Sequence, residues 1–189
     1  MKKVKSTTAL LLIDVQESFR LRPYWKAGHA DQFLSNVNRL IAACNNNNIP
    51  IVRIFHCDGE NIASNPFAQA SGYIKPLQGL VEFQAAAQFE KHRHSALVGT
   101  GLPVWLHQQG IQRILIAGIR TEQCCETTAR HASDEGWEVD YITEATLTFD
   151  MTTVAGKVLP AAQIMERTEA VLKDRFATIN SVDEAIKRL

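Results

Sequence analysis

The chain alternates between short, unbroken apolar runs and longer stretches in which apolar residues recur every three or four positions. Thr8-Ala9-Leu10-Leu11-Leu12-Ile13 is the first such run, and it ends on an acid, Asp14. A run without polar alternation is what a strand covered on both faces of a parallel sheet requires. From about Asp31 to Asn47, apolar side chains at Phe33, Val37, Leu40, Ile41 and Cys44 share one helical face, with Asp31 near the start. Four asparagines and Pro50 break that pattern, and Ile51-Val52-Arg53-Ile54-Phe55 reads as a second short strand.

Residues from about His56 to Ala85 contain Gly59, Pro66, Gly72, Pro76 and Gly79 without sustained periodicity. They form a long irregular segment of the kind that often carries binding residues. A strand follows near Ala87 to Glu90, then a short helix from Leu102 to Gln109 closed by Gly110. Arg113 to Gly118 is another buried strand, and Glu122 to Glu135 a helix closed by Gly136. Glu138 to Thr143 alternates as a strand, Ala161 to Lys173 is helical, and Phe176 to Ile179 with a helix after Ser181 finishes the chain.

Strand and helix therefore alternate throughout, which predicts a three-layer α/β/α arrangement with a mainly parallel, Rossmann-like sheet of about six strands. A single domain over residues 1–189 is expected, and a chain of 189 residues buries enough surface to fold without metal or disulfides. Ligands in such folds collect beyond the C-terminal ends of the strands. Asp14 at the end of the first strand, Lys91 just past the third and Cys124 entering the helix after the fourth should all face that edge.

Charge and composition remove several function classes. Twenty Lys plus Arg balance twenty Asp plus Glu, so no long-range field draws the protein to nucleic acid or to an anionic membrane. No apolar run is long enough to span a bilayer. The stretch Met1 to Thr8 is charged like the start of a signal peptide, but the apolar run behind it stops at Asp14 with no small-residue cleavage pattern. A cytoplasmic protein acting on a small molecule is expected, with no nucleic-acid or membrane partner. The absence of net charge permits self-association, and a homo-oligomer, dimer or tetramer, is the expected state.

No Gly-rich phosphate loop of either common pattern occurs, so no nucleotide cofactor is implied. Four cysteines, at 44, 57, 124 and 125, make no CxxC pair and are read as reduced thiols. Taken singly, Asp14 is a turn residue, Lys91 a solvated charge and Cys124 a packed thiol. Their arrival together at one sheet edge, an acid, a cation and a nucleophile, points to chemistry. A thiol in the first turn of a helix meets unpaired N–H groups that favour thiolate, and a nearby lysine acts the same way.

Three blocks then carry a family resemblance: Leu12-Ile13-Asp14-Val15-Gln16-Glu17-Ser18-Phe19; Lys91-x-x-x-Ser95-Ala96 with Gly99-Thr100-x-Leu102; and Gly118-Ile119-Arg120-Thr121-Glu122-Gln123-Cys124-Cys125-Glu126-Thr127-Thr128-Ala129. In that order, framing roughly residues 9 to 146, they resemble the isochorismatase-like cysteine hydrolases, which include nicotinamidases and N-carbamoylsarcosine amidohydrolases. The resemblance implies Asp14 as general base, Lys91 as the cation that activates the site and Cys124 as nucleophile. It also implies a cis peptide at Ile119-Arg120, with the Arg120 and Cys124 backbone N–H groups as an oxyanion hole. Cys125 falls where the family has a small aliphatic residue, and so reads as core packing.

The implied activity is hydrolysis of a small amide or ureido compound through a covalent, thioester-like intermediate. Nicotinamidases hold a divalent metal with an Asp-x-His pair and a later histidine. Here the matching stretch is Ile54-Phe55-His56-Cys57-Asp58, with no acid two positions before His56. No metal and no other cofactor is expected, unless Cys57 or Asp58 substitutes. Gln16, Phe19, Trp25 and Thr121, with Tyr24 and the Arg120 side chain, are candidate pocket lining. His92, Arg93 and His94 read as a solvated basic turn, or alternatively as groups that orient an acidic substrate. The competing readings are isochorismate-type vinyl ether hydrolysis, a thiol redox protein using Cys124 and Cys125, and a silent binding module.

Overall fold

A computed structural model describes residues 6–189, so the charged Met1 to Lys5 considered above lie outside the described residues. Its centre is a six-stranded, wholly parallel sheet. The strands are β1 (Thr8–Ile13), β2 (Ile51–His56), β3 (Ala87–Lys91), β4 (Arg113–Ile119), β5 (Glu138–Leu147) and β8 (Thr178–Ile179), in spatial order β3-β2-β1-β4-β5-β8. The order runs one way from β1 through β3 and the other way from β4 through β8. The crevice at such a reversal lies beyond the C-terminal ends of β1 and β4.

Helices cover both faces: α1 (Ala27–Asn46), α2 (Leu102–Gln109), α3 (Glu126–Asp134), α4 (Ala161–Leu172) and α5 (Val182–Lys187). Because successive strand side chains point to opposite faces, β1 contributes to two cores. Leu10 and Leu12 pack with Val37, Leu40 and Ile41 of α1 and with Val182 of α5. Ala9, Leu11 and Ile13 pack with Leu102 and Leu106 of α2 and with Ala129 and Ala132 of α3. This two-sided burial is why the strand reads as unbroken apolar sequence. Among the described residues no helix is long and apolar enough to cross a membrane.

Several boundaries differ from the sequence expectation. Helix α1 begins a turn before Asp31, at Ala27, with Lys26 at the cap, because buried Ala30 extends the apolar face upstream of Phe33. Lys91 closes β3 rather than following it. Strand β5 continues past Thr143 to Leu147 through a register shift against β4, since Ala145 and Leu147 are also buried. Only Thr178 and Ile179 of the last predicted strand pair with the sheet. Between β5 and α4, β6 (Met151–Thr152) and β7 (Val158–Leu159) form a small antiparallel ribbon.

The helix expected from Glu122 opens instead as a π turn over Thr121–Cys125 and becomes α-helical only at Glu126. Immediately before it, Gly118 has φ 144°, and a Cβ there would fall 1.9 Å from the Ile13 carbonyl oxygen. Only glycine tolerates that backbone and that approach. It lets the end of β4 press against the end of β1, which brings the Cys124 turn beside Asp14.

Candidate active site

Asp14 leaves β1 in the left-handed conformation, φ 56°, one that Asp adopts more readily than most residues. Its N–H donates to the Ile54 carbonyl at 2.8 Å, tying the turn to β2. The Asp14 and Lys91 side chains are completely buried, and Cys124 is 5% exposed. Lys91 Nζ lies 2.8 Å from Asp14 Oδ2, 3.2 Å from Cys124 Sγ and 3.1 Å from His56 Nδ1, and donates to the Arg93 carbonyl at 3.1 Å. The three residues anticipated at one sheet edge therefore meet around a single ammonium.

The Cys124 turn is pinned from several sides. The Cys125 N–H donates to the Arg120 carbonyl at 3.2 Å, an i to i−5 bond that widens the turn; π turns of this kind cluster at functional sites. The Tyr141 hydroxyl donates to the Thr121 carbonyl at 2.7 Å and the Thr128 hydroxyl to the Cys124 carbonyl at 2.6 Å. The Ile119–Arg120 peptide is cis. Cys125 is fully buried in the apolar cluster behind the turn.

Burial raises the Asp14 pKa above the ordinary carboxylate value, with Lys91 opposing it. Burial also works against the Lys91 charge, but Asp14 and Cys124 outweigh it, so the amine stays a cation. For Cys124, burial and then the Asp14 charge push the thiol up, and Lys91 offsets them only in part. These directions run against the expectation of a standing thiolate: one buried ammonium serves two acids, and burial works against the charge on both. His56 is pulled down to about 4 by burial and by the Lys91 charge, so its imidazole is neutral. Because an ammonium can only donate, His56 Nδ1 accepts and the ring proton sits on Nε2.

Above Cys124 opens a cavity of about 280 Å³. Phe19 and Phe67 form an edge-to-face pair in its wall, centroids 5.1 Å apart, with Tyr24 and His56 beside them. Besides Cys124, His56 and Tyr24, its ionisable lining residues are Arg22, Asp58, His94 and Arg120.

Of the expected lining residues Gln16, Phe19, Trp25 and Thr121, only Phe19 lines this cavity, together with Tyr24 and Arg120. Gln16 is wholly buried, and its amide clamps the His56 backbone, donating to the carbonyl at 3.0 Å and accepting from the N–H at 2.7 Å. Trp25 packs on Phe149 and faces a different recess. The Thr121 hydroxyl is buried against that of Thr146, 2.8 Å away. Sequence proximity to Asp14 and Cys124 does not say which side of a turn faces the cavity. Of the basic turn, His92 and Arg93 are exposed outside the cavity, whereas His94 lines it.

His56, Arg22, Asp58, Asn65, Phe67 and Gln123 were not anticipated as lining. The available signal was the length of the irregular segment after β2, which delivers Asp58, Asn65 and Phe67. The residues near His56 do not fit a metal. Its Nδ1 is engaged by Lys91, the Cys57 thiol faces Glu90 at 3.8 Å, and an Asp58 oxygen accepts the Gly59 N–H at 2.8 Å. Among the described residues no group of three or more His, Cys, Asp or Glu side chains could hold a metal ion.

The isochorismatase-domain family model matches residues 8–168. Nicotinamidase 3 of Arabidopsis thaliana is 31% identical over 156 residues, covering 75% of this chain and 74% of its own. An isochorismatase from Pseudomonas putida superposes with a TM-score of 0.80 at 26% identity, covering 94% of this chain and 89% of its own. An N-carbamoylsarcosine amidase from Thermoplasma acidophilum, at 15% identity, shares the fold with a TM-score of 0.73 over 94% of this chain and 97% of its own.

Proposed function

The chain belongs to the isochorismatase family of hydrolases, and from that premise we propose that it hydrolyses a small amide or ureido compound with Cys124 as its nucleophile. The observation that carries this reading is the Lys91 ammonium bridging Asp14 Oδ2 at 2.8 Å and Cys124 Sγ at 3.2 Å beneath the cavity. A carboxylate raised by burial is a better base at neutral pH than a solvated one, because proton transfer is most efficient when donor and acceptor pKa values approach each other.

In the resting site Cys124 is a thiol. As its sulfur attacks the substrate carbonyl carbon, the S–H proton passes to Asp14 and the carbonyl π electrons move to oxygen. The Arg120 and Cys124 backbone N–H groups receive that oxyanion. Protonated Asp14 then gives its proton to the leaving nitrogen, the C–N bond breaks, and an acyl or carbamoyl thioester remains on Cys124. Water, deprotonated by Asp14, attacks the thioester; the C–S bond breaks and the sulfur regains its proton. Lys91 keeps the carboxylate ionised and stabilises sulfur whenever it carries charge. No step requires a metal.

Intact-protein mass spectrometry after exposure to a library of small amides and ureido compounds tests this. An adduct localised to Cys124, with turnover lost in Cys124→Ala, is the expected result. Turnover surviving unchanged in Cys124→Ala excludes it.

A further inference from the structure

Arg120 enters the cavity directly beside the Cys124 turn and is only 8% exposed. Its guanidinium is held in place: Nη2 lies 3.0 Å from Glu122 Oε1, and the group sits 5.1 Å from the Tyr24 ring centre and 5.7 Å from that of Phe149. Glu122 is itself fixed, its second oxygen accepting the Thr148 hydroxyl. Yet Arg120 Nε is buried with no hydrogen-bond partner. Buried donors are normally paired, so an unsatisfied guanidinium on a residue that lines the cavity points to an acceptor from outside the protein.

A second cation lies near the same aromatic ring. Arg22 lies 5.8 Å from the Tyr24 ring centre, lines the same cavity and makes no ion pair among the described residues. The carboxylate on the rim, Asp58, already accepts the Gly59 N–H with one oxygen. Glu122 pairs with Arg120 by charge alone, its Oε1 making no hydrogen bond, and Arg22 has no ion pair among the described residues.

Resting on the assignment of this cavity to the substrate, we propose that Arg120, Tyr24 and Arg22 form a carboxylate subsite, and that the preferred substrates are amides or ureido compounds bearing a carboxylate. A planar guanidinium presents paired donors that match a carboxylate better than any neutral group. Stacking on Tyr24 limits the entropy lost on binding. The edge-to-face pair of Phe19 and Phe67 gives the body of the substrate an apolar wall.

The test is direct binding, which does not depend on turnover. Benzoate and benzamide, nearly isosteric and differing in charge, are titrated by NMR into Cys124→Ala protein. Benzoate is expected to bind more tightly. Arg120→Gln, and separately Arg22→Gln, should weaken benzoate by about ten- to a hundred-fold, the loss of a hydrogen bond to a charged group, and leave benzamide unchanged. Arg22 is exposed, so its variant keeps the test open if Arg120→Gln does not fold. Absence of benzoate binding, equal affinity for the two probes, or equal losses for both in the variants overturns the subsite. Benzoate selectivity without hydrolysis of any amide or ureido compound sinks the hydrolytic reading instead.

Discussion

Nζ of Lys91 lies 3.1 Å from Nδ1 of His56, so the imidazole accepts from the ammonium and carries its own proton on Nε2. The same lysine cation and the burial of the ring hold His56 at about 4, below the free value of 6.5.

That depression has a consequence for stability. The unfolded chain takes up a proton at His56 as pH falls through 6.5, while the folded protein does so only near 4. Stability from this group therefore declines from 6.5 down to about 4 and levels off below. Urea unfolding across that window should show a shallower decline in His56→Gln than in the parent. Equal slopes would remove the buried neutral imidazole from the account.

Removing the ammonium should be costly for folding as well as for turnover. Lys91→Met leaves the fully buried Asp14 carboxylate without its counter-charge; breaking a buried pair in this way costs about 3–5 kcal/mol. Adding Asp14→Asn should recover much of the stability and none of the activity. A double-mutant cycle by denaturant unfolding measures the coupling, and simple additivity would contradict the pairing.

Thiol reactivity should run opposite to activity in one variant. The Asp14 charge helps to hold the Cys124 proton in place, so iodoacetamide should modify Cys124 slowly at neutral pH and faster as pH rises. Asp14→Asn should speed that alkylation while abolishing hydrolysis. Peptide mapping of the modified protein reads both, and full alkylation of the parent at neutral pH would show a standing thiolate after all.

Gly118 should accept no side chain. A Cβ there would lie 1.9 Å from the Ile13 carbonyl oxygen, a clash with backbone that no rotamer relieves. Gly118→Ala is expected to lose more than about 4 kcal/mol, or to accumulate unfolded. Thermal unfolding of soluble protein within a degree of the parent would count against the close approach of β1 and β4.

The linear sequence carried the layers of this fold. Unbroken apolar runs such as Thr8 to Ile13 and Arg113 to Gly118 arise only where both faces of a strand are covered, and the alternation with helical spacing dictates parallel crossovers. Gly110 and Ser181 marked helix ends because capping is decided by neighbouring residues: Gly110 adopts φ 70° and Ser181 accepts from the Glu184 N–H. Asp14, Lys91 and Cys124 were legible because each follows or closes a strand, and strand ends in a parallel sheet share an edge.

What the chain order could not decide was everything set by contacts between distant segments. Gln16 beneath His56, Trp25 turned to Phe149 and Thr121 against Thr146 are positions chosen by packing partners 40, 124 and 25 residues away. The state of Cys124 also belonged to the tertiary structure. A helix start and a lysine nearby argue for thiolate, but burial beside a carboxylate works against that preference, because desolvation and charge act through space rather than along the chain.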